Sequence, residues 1–140
     1  MNKVVPPLTT LQCLRAAGLR PTRQRIALAR LLFEKGDRHI TAEHLHGEAT
    51  GAGIKVSLAT VYNTLHQFTE VGLLREVVVE SGRSYFDTNT ADHHHFVCEA
   101  SGLLQDIPGQ GVIVSGLPPA PAGTAILRVD VIVRVGPESR

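Results

Sequence analysis

At Gly72 the spacing of apolar side chains changes from three and four residues to two, and that switch limits what the chain can fold into. Before it, Leu58, Val61, Leu65, Phe68 and Val71 recur at helical spacing and share one face. After it, Leu73–Val79 and Arg83–Asp87 flank Glu80-Ser81-Gly82, and Gly82 supplies the turn of a predicted β-hairpin. A helix therefore feeds directly into a small antiparallel sheet.

The residues upstream supply further helices. The first eight read as a loose arm, and Thr9 or Thr10 caps a short helix, Leu11–Ala17, closed by Gly18. Thr22 caps a second one carrying Ile26, Leu28, Ala29, Leu31, Leu32 and Phe33 and ending at Gly36. Asp37–Ile40 reads as a connector, and Thr41-Ala42-Glu43-His44 starts a helix that runs to about Thr50. Ser57 caps the helix Leu58–Val71, whose outer face carries Thr60, Tyr62, Asn63 and His66, with Gln67 at its edge. Helices followed by a hairpin is the winged-helix order, in which the last helix enters a major groove. Hydroxyl and amide side chains there suit base edges and phosphates.

The net charge of +1 offers no generally basic surface, so contact with nucleic acid needs local clustering. Arg20, Arg23 and Arg25 provide it at the start of the second helix, where cations sit badly against the helix dipole unless a negative partner is present. A solvated helix face would use the same residue types; the arginine cluster favours DNA.

Three of the seven histidines stand in a row as His93-His94-His95. In an extended segment His93 and His95 share a face and can converge on one ligand, while His94 points away. Neutral imidazole ligates iron, zinc and haem alike. Beyond it, Phe96–Cys98 and Leu103–Ile107 read as paired strands around Ser101-Gly102, Gly111–Gly116 as helix or loop, and Leu117–Gly123 as a breaker. The alternation of Ile126–Val135 predicts a long final strand. The expected fold class is α+β. A winged-helix DNA-binding domain covers residues 1–88, a hinge lies at about 88–92, and a small α/β dimerisation and ligand-sensing domain covers 92–140. So short a second domain buries little core alone, and a homodimer is expected. Aromatic residues make up only 4% of the chain, so the core must be aliphatic. No stretch reads as a signal peptide or a membrane span, which predicts a cytoplasmic protein with no membrane partner.

With these parts placed, the sequence resembles the ferric uptake regulator superfamily of bacterial repressors from about Leu11 to Asp106. Gly18-Leu19-Arg20-Pro21-Thr22-Arg23-Gln24-Arg25 is similar to the family's opening motif, and Ser57-Leu58-Ala59-Thr60-Val61-Tyr62-Asn63-Thr64-Leu65 to its recognition helix. The resemblance implies that Tyr62 contacts bases of a double-stranded DNA operator and that Arg20 reaches a minor groove. Asn63 stands where many relatives carry arginine, which implies a different operator preference, since asparagine pairs with adenine. It also implies a sensing site of His39, Asp87, His93, His95 and Asp106, a nitrogen and oxygen set that suits iron or manganese. The family's cysteine pairs are missing: Ser101 follows Cys98 at the usual spacing and no cysteine lies beyond, so no structural four-cysteine zinc is expected.

The histidine run, Leu31-Leu32-Phe33-Glu34-Lys35-Gly36-Asp37-Arg38-His39 and Tyr85-Phe86-Asp87-Thr88-Asn89 are most similar to the iron response regulator branch. That branch implies control of iron and haem genes by haem, with His93, His94 and His95 as haem-binding candidates. Cys13 precedes Leu14, so the Cys-Pro haem motif of some members is missing. A metal-only or peroxide-sensing repressor of the same fold is the alternative. A metallohydrolase would need a general base such as Asp92 or Glu99, and no pocket motif supports one, so no enzymatic activity is expected. Asp92 and His94, with Asp130, remain open as a second metal site.

Overall fold

Each helix of the first half begins on a hydroxyl that accepts a hydrogen bond from the backbone N–H three residues on. In the computed structural model, which describes residues 9–80 and 83–138, these caps start α1 (Thr10–Ala16), α2 (Arg23–Phe33), α3 (Ala42–Gly51) and α4 (Leu58–Glu70). The cap distances are 3.2 Å at Thr9, 3.2 Å at Thr22, 3.1 Å at Thr41 and 3.1 Å at Ser57. Gly72 ends the α4 segment at φ +82°, a left-handed conformation that glycine adopts without steric cost. The expected arm at the first eight residues lies outside the described residues.

The described residues divide into two compact units after Thr90. In the first, Leu14, Leu28, Leu32, Leu45, Val61, Leu65 and Phe68 are fully buried, with Phe33 against Phe68 at 6.2 Å between ring centres. Burial of each such side chain stabilises by roughly 1.5–3 kcal/mol, enough to fix the helix faces. Leu58 and Val71, expected on the buried face of α4, are exposed at 36% and 38% because each lies at an end of the apolar stripe, past the helices that cover its middle.

The wing is a three-stranded sheet in the order β1 (His39–Ile40), β3 (Arg83–Asp87), β2 (Arg75–Glu80), antiparallel throughout. The turn residues Ser81 and Gly82 lie outside the described residues. His39-Ile40 is thus a strand and no mere connector. Two residues show no periodicity, and their partner lies far along the chain.

The second unit is a sheet in the order β5 (Leu104–Pro108), β4 (His93–Cys98), β6 (Ile132–Val135), antiparallel between β5 and β4 and parallel between β4 and β6. A one-turn 3-10 helix, Gly109–Gly111, follows β5. The long final strand expected from Ile126 shrinks to Ile132–Val135 because only His95–Cys98 of β4 are there to pair with it. No helix among the described residues is long and apolar enough to cross a membrane.

Candidate metal centre and nucleic-acid interface

On α4 the apolar stripe turns inward, which leaves Asn63 and His66 exposed and Thr60 and Tyr62 half-buried. The Ser57 hydroxyl donates to Thr60 Oγ1 at 2.9 Å, so the cap also orients one member of that face. Tyr62 donates its hydroxyl to Glu43 Oε1 at 2.6 Å. Its ring lies parallel to His66 at 6.4 Å, and His66 in turn stands edge-on to Phe86 at 5.5 Å. The Tyr62 hydrogen bond lowers the Glu43 pKa, and the carboxylate it meets raises that of Tyr62.

The arginines divide by environment. Arg20 and Arg23 are exposed. Arg25 is half-buried: it donates from Nη1 to the Arg20 carbonyl at 2.9 Å, and from Nη2 and Nε to Gln67 Oε1 at 3.0 and 3.3 Å. It clamps the first turn of α2 to α4. A polar cavity of about 300 Å³ sits at this junction, with Thr22, Arg25, Thr60, Asn63 and Gln67 among its walls.

In the first unit His39 and Asp87 are partners across the β1–β3 ladder, with Nε2 and Oδ2 3.3 Å apart. Asn89 N–H donates to Asp87 Oδ1 at 2.9 Å, which orients the carboxylate. Arg38 and Thr88 lock the same ladder from outside: Arg38 N–H donates to Thr88 Oγ1 at 2.8 Å and Thr88 N–H to the Arg38 carbonyl at 3.1 Å.

In the second unit the pleat of β4 buries His93 and His95 and turns His94 to the other side. The rings of His93 and His95 are 4.6 Å apart, and Asp106, facing His95 across the ladder, brings Oδ1 to 3.3 Å from His95 Nε2 and 3.6 Å from His93 Nε2. His93 Nδ1 lies 2.5 Å from the Ala91 carbonyl, an acceptor, so that nitrogen carries a proton and, in the neutral ring, Nε2 keeps the lone pair. One neutral imidazole lone pair, a second imidazole nitrogen and a carboxylate oxygen thus lie within 4.8 Å of one another. Two nitrogens and an oxygen so arranged repel unless a cation or a proton lies among them, and the donor set fits a hard or borderline divalent ion.

His94 is used differently. Its Nδ1 accepts the Val131 N–H at 3.1 Å, which fastens the segment entering β6 to β4 and puts the proton of the neutral ring on Nε2. Asp130 takes a hydrogen bond from Arg128 at 2.9 Å, and Asp92, His94 and Asp130 form no second metal-holding group among the described residues. Cys98 has its thiol pKa lowered by hydrogen bonds with the Ser101 hydroxyl and neighbouring backbone.

The sequence reading missed Glu43, which it took for a helix-start acid. Only the packing of α3 against α4 reveals it as the partner of Tyr62.

Comparison with known proteins gives one consistent answer. The ferric uptake regulator family model matches residues 16–114. The peroxide-responsive repressor PerR of Staphylococcus aureus strain Mu50 is 35% identical over 97 residues, 69% of this chain and 65% of that protein, so the chain spans under two thirds of that relative's length. A ferric uptake regulator from Pseudomonas aeruginosa, solved with manganese, has a TM-score of 0.71 at 24% identity, covering 94% of this chain and 100% of that one. A Campylobacter jejuni peroxide stress regulator has a TM-score of 0.61 at 24% identity over 93% of this chain and 97% of its own. At these identities the two structures share the fold: a winged helix followed by a small mixed domain.

Proposed function

Because this chain belongs to the ferric uptake regulator family, we propose that it is a dimeric transcriptional regulator whose DNA affinity is set by a divalent metal, iron or manganese. The observation that carries the reading is the convergence of His93, His95 and Asp106 donor atoms within 4.8 Å. In our reading His39 and Asp87 complete the ligand set from the first unit, which the chain connects to β4 through the short run Thr88–Asp92. A bound divalent ion supplies the positive charge that lets these donors share one point.

The chain's own residues do the rest. Arg38 and Thr88 hold His39 and Asp87 in register. Ala91 fixes the His93 tautomer. Once both ligand sets are engaged, the freedom between the units narrows, and with it the spread of positions open to α4. Coupling of this kind is worth ~1–3 kcal/mol. Tyr62, Asn63, Thr60 and His66 then meet the major groove of a two-fold operator, while Arg20 and Arg23 supply charge toward the backbone and minor groove and Arg25 holds α2 against α4. Exposed Leu103, Ile126 and Leu127 on the second unit are the kind of surface a second copy would cover.

The peroxide-responsive name of the staphylococcal relative makes peroxide sensing at the same ion the second reading. Haem fits less well. His94 commits Nδ1 to Val131, and His93 and His95 are buried beside a carboxylate with their rings 4.6 Å apart, which crowds a porphyrin plane. The relatives' names describe regulators, and no catalytic step is proposed.

The test is a titration of the full chain with manganese(II), and separately with haem. DNA binding is then followed by anisotropy on duplexes selected from a random pool. Stoichiometric manganese binding that sharpens DNA affinity, and that His93→Ala with His95→Ala abolishes, is expected. A stoichiometric Soret band with no metal response would overturn the proposal in favour of haem.

A further inference from the structure

Tyr62 is held from two sides before any DNA arrives. Its hydroxyl gives its single proton to Glu43 Oε1 at 2.6 Å, and its ring is backed by His66, which rests on Phe86. A bond this short to a carboxylate is a charge-assisted one, about twice as strong as a neutral bond. The phenol has no second proton, so what it can show a partner is its oxygen lone pairs. Tyr62 and Glu43 both line a cavity of about 360 Å³ whose walls include Glu76 and Tyr85, and Tyr62 is only half-buried, which leaves room for a partner to approach.

Base edges in the major groove differ in what such an oxygen can meet. Adenine N6 and cytosine N4 donate; guanine N7 and O6 and thymine O4 only accept. A lone-pair oxygen backed by a carboxylate attracts the amino groups and repels the acceptors. We propose that Glu43 is a specificity-determining residue: by holding the Tyr62 proton it makes Tyr62 an acceptor that selects adenine or cytosine at the base it meets. This rests on the reading of α4 as the DNA-facing helix. Without Glu43 the hydroxyl rotates and can donate as well, so guanine and thymine become acceptable.

The experiment selects double-stranded DNA from a randomised pool with the manganese-loaded full chain. Wild type, Glu43→Ala, Tyr62→Phe, Tyr62→Ala and the double variant Glu43→Ala/Tyr62→Phe are compared. Alanine at an exposed helical position keeps the helix. Wild type should show one position restricted to adenine or cytosine, and Glu43→Ala should relax it by about tenfold in relative affinity. In the Tyr62→Phe background the Glu43 change should have no further effect on base choice. Unchanged base preferences in Glu43→Ala, or an equal loss on all duplexes, overturns the inference. If Tyr62→Ala leaves selected sequences and affinities as they are in wild type, the DNA-facing reading of α4 fails instead.

Discussion

The Arg38 guanidinium and the Glu48 carboxylate meet fork to fork, Nη1 to Oε1 at 3.0 Å and Nη2 to Oε2 at 2.6 Å. Nη1 of the same arginine also caps the Leu31 carbonyl near the end of α2 at 3.0 Å. One side chain thus ties α2, α3 and the start of β1, the strand that carries His39. Both side chains are about four-fifths shielded from solvent, which makes the pair more than surface decoration.

Glu48→Gln should therefore cost about 1–2 kcal/mol of stability near neutral pH, read by urea unfolding. The Arg38 hydrogen bonds hold the Glu48 carboxyl below its usual range. On acidification the unfolded chain protonates first, so the pair's contribution is whole above the ordinary carboxylate pKa and drains away as pH falls through the lowered one. The gap between wild type and Glu48→Gln should close in acid; a gap that stays constant down to low pH would contradict the pair.

Ser57→Ala removes the cap of α4 and the hydroxyl that orients Thr60. A loss of about 1 kcal/mol in thermal unfolding is expected. Specific DNA affinity should fall with it, while binding to random duplex changes less.

Within the histidine run, neighbours should behave differently. His93→Ala or His95→Ala should weaken manganese(II) binding by more than about tenfold, measured by calorimetry. His94→Ala should leave that affinity intact and instead speed hydrogen exchange at the Val131 amide, which has lost its acceptor. Equal effects of all three substitutions on metal affinity would refute the division.

Arg20 and Arg25 should separate by salt dependence. Arg20→Ala takes an exposed charge from the proposed DNA face, so the slope of log affinity against log salt should drop by about 1. Arg25 spends its guanidinium on Gln67 and the Arg20 carbonyl. Its alanine variant should lower thermal stability and specific affinity, with the salt slope nearly kept.

Local chemistry made much of this legible from residues alone. The capping hydroxyls at Thr22, Thr41 and Ser57 mark where helices start, because an N-terminal N–H needs an acceptor close in sequence. The alternation through His93-His94-His95 separates inward from outward rings, because a strand's side chains alternate whatever lies beside it. The ligand candidates came from resemblance on top of that pattern. Where the segment ran alone, alternation misled: Ile126–Asp130 has the strand period but, among the described residues, no strand beside it.

The sequence by itself determined the order of helices and wing, the apolar stripes that face the core of the first unit and the inward pair on β4. Each of these depends on residues within a turn or two of one another. The core those stripes build is not purely aliphatic, since Phe68 and Phe86 are its largest fully buried side chains. Only the tertiary structure decided that His39 stands opposite Asp87, that Glu43 takes the Tyr62 proton, and that His94 is a brace for β6 rather than a partner of its neighbours. Those contacts join segments far apart in the chain, and a hydrogen bond leaves no periodic trace in either segment it connects.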